Sequence, residues 1–202
     1  MFSDEGLARL VELMDGELKV PSLTVDQDRR WGILTALARN GQRGALARAE
    51  AELERDDSAR ARRSMVRIHS IYPDAETKST YLDDLFDPES KTSFADHRTA
   101  ARVLFVEGQE KLHEQFADRI VAHIAATESE ADPEYFMRAQ LIARFLPPGT
   151  CSNASVERLS RMVAAHQESR ESVLRPITER WEDDVRCVAR IKALESAGPA
   201  QP

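Results

Sequence analysis

The chain has 202 residues, 42% of them apolar, and a formal net charge of -7. A chain of this length buries about 70% of its unfolded surface, enough for one sizeable core, and its acidic balance argues against a broad nucleic-acid surface, which needs a basic field. No window approaches the roughly 18 uninterrupted apolar residues of a membrane span, and two cysteines are too few for a disulfide framework, so a reducing, cytoplasmic setting is expected.

Gly and Pro are scarce, and Ala, Leu, Arg and Glu dominate, which points to helices joined by short breaks. The opening residues are acidic and lack the basic flank and apolar run of a secretory signal. Leu7, Leu10, Val11 and Met14 predict a first short helix stopped at Gly16. Leu18, Val20, Leu23 and Val25 then alternate as an extended lead-in, with Pro21 barring helix. Asp26 can cap a second helix carrying Trp31, Leu34 and Leu37 or Ala38, ended by Asn40-Gly41.

Leu46, Ala49 and Leu53 mark a third helix. Asp57-Ser58 caps a fourth with Ala61, Met65, Ile68 and Tyr72 inward, broken by Pro73. Tyr81, Leu82, Leu85 and Phe86 form a fifth, closed by Asp87-Pro88. Phe94, Ala101, Leu104 and Phe105 belong to a sixth that ends at Gly108. Leu112, Phe116, Ile120 and Ile124 recur by fours in a seventh. Asp132-Pro133 is a cap followed by proline at the first helical position, and Tyr135, Ala139, Ile142 and Phe145 face inward until Pro147-Pro148-Gly149. Val156, Leu159 and Val163 mark a ninth helix. The last starts near Pro176, with Ile177, Trp181, Val185 and Val188 inward. SAGPAQP is a frayed tail.

The fold class expected is all-α: about ten helices, paired antiparallel, forming a HEAT- or armadillo-like superhelical α-solenoid. A plain helical bundle is the structural alternative. The pattern is read as a single helical-repeat domain over 1–196, two small domains being the alternative, with 197–202 as a disordered tail.

The run GELKVPSLTVDQDRRWGILTALARNG, from Gly16 to Gly41, resembles part of the C-terminal helical domain of zinc aminopeptidases of the aminopeptidase N family. Further similar pieces follow in the same order: Leu53–Asp57 and the Arg-rich helix behind it, Tyr72-Pro73, GQEKL at Gly108–Leu112, ARFLPPG at Ala143–Gly149, and Arg175–Arg190 with Asp183-Asp184. The resemblance runs roughly from Leu7 to Ala193 and rests on that order. It implies a non-catalytic segment, the latter part of that domain, which closes the substrate chamber of an enzyme that removes N-terminal residues from peptides. The zinc cofactor would sit in a preceding catalytic domain of the same polypeptide. That domain and peptide substrates would be the partners, with no nucleic acid and no membrane. The face carrying Leu7, Leu10 and Val11 would lack its neighbouring repeat, so self-association there, or loose order, is expected.

Catalytic and metal residues are expected to be none within this segment. A zinc aminopeptidase needs H-E-x-x-H on one helix, and the His113-Glu114 pair is followed by Gln115, Phe116 and Ala117. Glu110, His113 and Glu114 share a helical face that could touch a cation or simply be solvated. His97 lies on an apolar stripe and is read as a satisfied, partly buried histidine; His69, His123 and His166 have no partner that spacing supplies. Cys151 and Cys187 are read as idle thiols. Arg60, Arg63 and Arg67 form a basic stripe roughly 140° from the apolar face of their helix. The ordinary reading is a solvated face balanced by acids such as Glu52 and Asp56. The sharper one is a guanidinium cluster that holds a substrate carboxylate by paired hydrogen bonds. Outside the resemblance, the alternative function is an independent helical-repeat module that binds a protein partner in a groove.

Overall fold

The computed structural model describes residues 2–127, 133–145 and 149–197. It is all-α, with ten helices and no strand among the described residues. The chain divides into two compact units, Met1–Leu104 and Phe105–Pro202.

The first unit holds α1 (Asp4–Asp15), α2 (Gln27–Arg39), α3 (Ala45–Arg55), α4 (Ala59–Ile71), α5 (Ala75–Phe86) and α6 (Phe94–Ala101). Five of its six helices start at side-chain caps: Ser3, Asp26, Ser58, Asp74 and Ser93 each accept a backbone N–H from the first turn of α1, α2, α4, α5 and α6, whereas α3 starts at Gly44 without one. Gly16 ends α1 at φ 82°, a left-handed conformation that lets its N–H reach the carbonyls of Glu12 and Leu13. α1 packs on α2; α2 and α3 both pack on α4; α4 also meets α5 and α6. Helix α4 is therefore the hub, with Ala61, Met65 and Ile68 buried along one side.

The second unit holds α7 (Glu110–Thr127), α8 (Pro133–Arg144), α9 (Asn153–Ala165) and α10 (Glu171–Ala197). α7 packs on α8, and both α8 and α9 pack on α10. Phe116, Ile120 and Ile124 are buried on α7, as their spacing by fours predicts.

Several expectations need correction. The 17–25 lead-in is irregular, with Val20 42% and Leu23 37% exposed; among the described residues there is no strand for its backbone to pair with. On α3 the buried positions are Ala45, Ala49 and Glu52, and Leu46 and Leu53 flank them. α6 ends at Ala101; Leu104 and Phe105 are buried from the turns that follow. α9 buries Ser155, Leu159 and Met162, a face rotated from Val156 and Val163.

The last helix starts at Glu171, because the Arg170 carbonyl already accepts the N–H groups of Val173 and Leu174 before Pro176 is reached. Proline inside it removes one helical bond, the one that would end on the Ser172 carbonyl. Val185 is exposed, and Asp184 takes the buried position beside it. Leu7 is buried and Leu10 and Val11 half-buried, so α1 spends much of its stripe within its own unit. The Asp132 cap, the Pro147-Pro148 stop and the tail beyond Ala197 lie outside the described residues, as do the side chains of Tyr135 and Ala139.

Candidate functional site

The arginine stripe of α4 faces a cavity. Asp28, Trp31, Gly32 and Thr35 of α2, Arg60, Arg63, Ser64 and Arg67 of α4, and Thr99 of α6 enclose about 620 Å³. The packing of α2 and α6 on α4 produces this groove: each buries its apolar stripe against the hub, leaving the polar shoulders to face one another. Trp31 is buried, and its indole Nε1 donates to Asp56 Oδ2 at 3.1 Å. That bond, with two from Ser58, holds the Asp56 carboxyl below the usual carboxylate range.

The guanidinium groups differ in their engagement. Arg60 Nη1 lies 2.9 Å from Asp28 Oδ1, with both side chains largely exposed. Among the described residues, Arg63 and Arg67 have no ion-pair or hydrogen-bond partner. Thr35 donates its hydroxyl to the Trp31 carbonyl and Thr99 donates to the Ala95 carbonyl, both at 2.8 Å. These two hydroxyls thus offer the cavity only lone pairs, whereas the three arginines and Ser64 offer donors.

The first unit also holds an ion pair, between half-buried Arg30 and buried Glu52, that spacing did not reveal. Glu52 is 3% exposed and accepts from Arg30 Nε at 2.8 Å, Arg30 Nη2 at 2.6 Å and Gln27 Nε2 at 2.9 Å. Arg30 also donates to the Met14 carbonyl at 2.9 Å, tying α1, α2 and α3 together. The hydrogen bonds from Arg30 hold the Glu52 carboxyl below its ordinary range despite burial. Glu52 is not a solvated counter-charge for the arginine stripe. The available signal was its position: an acid three residues after Ala49, in register with the buried face.

Lys78 is a second hidden charge. It is fully buried, and its Nζ donates to the Ser70 carbonyl in the last turn of α4 at 2.6 Å. A cation there satisfies a carbonyl that the helix leaves open. Burial pushes the Lys78 amine down to about 7, with Asp74 pulling the other way.

His97 is buried, as its apolar stripe suggested, and its Nε2 lies 3.1 Å from Asp84 Oδ2. Ser90 Oγ is 3.4 Å from the same nitrogen, yet donates to Asp84 Oδ1 at 2.6 Å. The three residue types are those of a hydrolytic triad, but the wiring is not. Serine and aspartate meet one imidazole nitrogen, and the serine proton goes to the carboxylate and not to the histidine. Burial raises the Asp84 carboxyl, and hydrogen bonds from Ser90, Thr92 and His97 outweigh it, leaving the group below its ordinary range.

In the second unit, the Glu110, His113 and Glu114 face is divided among separate partners. Glu110 accepts the Gly108 N–H at 2.7 Å, His113 is buried edge-on against the Phe105 ring, and Glu114 accepts from Arg158. Arg158 also donates to Asp118 at 2.7 Å, a fork that fastens α9 to α7. Among the described residues no group of three or more His, Cys, Asp or Glu is arranged to hold a metal ion. His69 is half-buried at the end of α4; His166 is buried at the end of α9, with Nδ1 3.2 Å from Ser169 Oγ. Burial, with Arg119 one turn away, pushes His123 down to about 4.

The two cysteines are not idle thiols: Cys151 and Cys187 form a disulfide that joins the segment before α9 to α10. Spacing could not show this, because 36 residues separate them and only the packing of α9 on α10 brings them together. Beside the bridge, the carboxylate of buried Asp184 lies against Gly149, so a side chain there would require Asp184 to move.

No protein-family model matches this sequence, and no curated protein is significantly similar to it.

Proposed function

We propose that this chain is a non-catalytic helical segment of a zinc aminopeptidase, closing the substrate chamber over a catalytic domain of the same polypeptide. The zinc and the bond-breaking residues belong, in this reading, to that domain, and the chain contributes water exclusion and a lining for the peptide path. Support comes from the ordered resemblance between Leu7 and Ala193. Within each unit, helices two apart in sequence pack together (α2 on α4, α4 on α6, α8 on α10), as stacked helix pairs in a solenoid do.

The observation that carries the reading is the cavity wall of Arg60, Arg63 and Arg67, since planar guanidiniums facing an open space suit a peptide carboxylate. The setting proposed from cysteine count is cytoplasmic. The Cys151–Cys187 bridge bears against it, because structural disulfides persist in oxidising compartments, and alkylation of the protein as isolated decides between them.

The test is to add the whole chain to a separately produced catalytic part and follow cleavage of peptides of graded length. A shifted length preference, lost on Arg63→Ala with Arg67→Ala, is expected. No shift at any concentration favours an independent binding module, and zinc with turnover in this chain alone overturns both readings.

A further inference from the structure

We propose that the α2–α4–α6 cavity binds a phosphomonoester dianion, clamped between Arg63 and Arg67. This rests on the reading of the cavity as a ligand site and goes beyond it by naming the ligand's charge and chemistry. Three guanidiniums face one carboxylate, Asp28, so the lining carries an excess of two positive charges. A single carboxylate would neutralise half of that excess; a phosphomonoester above its second ionisation neutralises all of it.

Geometry points the same way. Arg63 and Arg67 lie one turn apart on α4, about 5–6 Å between their β-carbons, and like charges at that spacing repel. An oxyanion between them relieves the repulsion and offers three oxygens to two planar forks and the neighbouring Ser64 hydroxyl. Among the described residues Asp28 is the one carboxylate in the lining, and it is already held by Arg60, which leaves both clamp residues unneutralised. Thr35 and Thr99, whose hydroxyl protons are spent on backbone carbonyls, present lone pairs that suit hydroxyl groups on the esterified part of the ligand. At about 620 Å³ the space lies within the roughly 300–1,000 Å³ of small-molecule sites.

The test is calorimetric titration of the whole chain with phenyl phosphate and, in parallel, benzoate. At pH 7.5 phenyl phosphate should bind at least tenfold tighter, and the advantage should shrink as the pH falls through about 6, where a phosphomonoester loses its second charge. Asp28→Asn should raise affinity by removing a negative charge from the lining, while leaving that pH dependence in place. Arg67→Gln and Arg63→Gln should each weaken binding at least tenfold with unchanged helical circular dichroism, since both side chains are exposed. A phosphoserine peptide presents the same dianion from a polypeptide. Its affinity relative to phenyl phosphate identifies the source, and loss of either in the variants supports the site. Equal binding of benzoate and phenyl phosphate overturns the dianion assignment while leaving a carboxylate site standing. No binding of either, or binding indifferent to both arginines, overturns the site altogether.

Discussion

The two units solve one problem by different means. Each is built from amphipathic helices, eight to thirteen residues long in the first unit and up to 27 in the second, and each adds something to side-chain packing where its helices meet. The first unit uses buried charge: Arg30 and Glu52 join three helices, and Lys78 seats α5 on the open end of α4. The second uses a covalent tie, Cys151–Cys187, together with the half-exposed fork of Arg158 on Glu114 and Asp118. The first unit should therefore answer to pH and to loss of a single partner, and the second to reductant.

Glu52→Ala should have the largest effect. It leaves the Arg30 guanidinium without its carboxylate in a buried setting and should cost about 3–5 kcal/mol, read by urea unfolding, with loss of amide protection confined to α1–α3. Because the Glu52 carboxyl is held below its ordinary range, its contribution is present above that range and lost as the pH falls through the lowered value. The difference between wild type and Glu52→Ala should therefore narrow in acid. An unchanged gap at pH 3 would break the assignment.

Cys151→Ser with Cys187→Ser, or a reducing agent, should cost about 3–4 kcal/mol, the loop-entropy scale for a closed loop of this size. Protection should fall in α9 and α10 and not in α1–α6. A loss spread evenly over both units would contradict a tie confined to the second.

Lys78→Met should act with a sign that depends on pH. Below pH 7 the wild type buries a charged amine, whereas between about 7 and 10.5 the folded amine is neutral and the unfolded one still charged. Wild-type stability should thus rise across that window. The substitution should stabilise by about 1–3 kcal/mol at pH 6 and lose its advantage by pH 10, where the missing bond to the Ser70 carbonyl dominates. Thermal melts at the two pH values measure it.

Arg60→Ala should move stability least, by no more than about 1 kcal/mol, because the Arg60–Asp28 pair is 68% and 56% exposed. A larger loss would mean that the cavity wall holds the first unit together.

Much of the helical layout is written locally. Ser58 and Pro73 bracket α4, Gly16 ends α1, and the by-fours spacing of Phe116, Ile120 and Ile124 fixes the buried face of α7, since caps, breakers and period act within a few residues. The arginine stripe was likewise legible as an outward face of one helix. That α2 and α6 turn this face into a cavity was not, because neither helix is contiguous in sequence with α4. Glu52, Lys78 and Asp184 share one signature, a charged residue in register with an apolar stripe. Register says that such a residue is buried, but not which group will meet it: Arg30 lies 22 residues from Glu52, and the Ser70 carbonyl belongs to another helix.

Residues close together in the chain are enough to make it helical, to set most helix ends and to mark most buried faces, because propensity, capping and periodicity are short-range. That Cys151 meets Cys187, that Arg30 neutralises Glu52 and that three arginines look into a shared space follow from the packing of segments distant in the chain. Those outcomes depend on which helices pack together, and the energy of a contact says nothing about the length of chain between its partners.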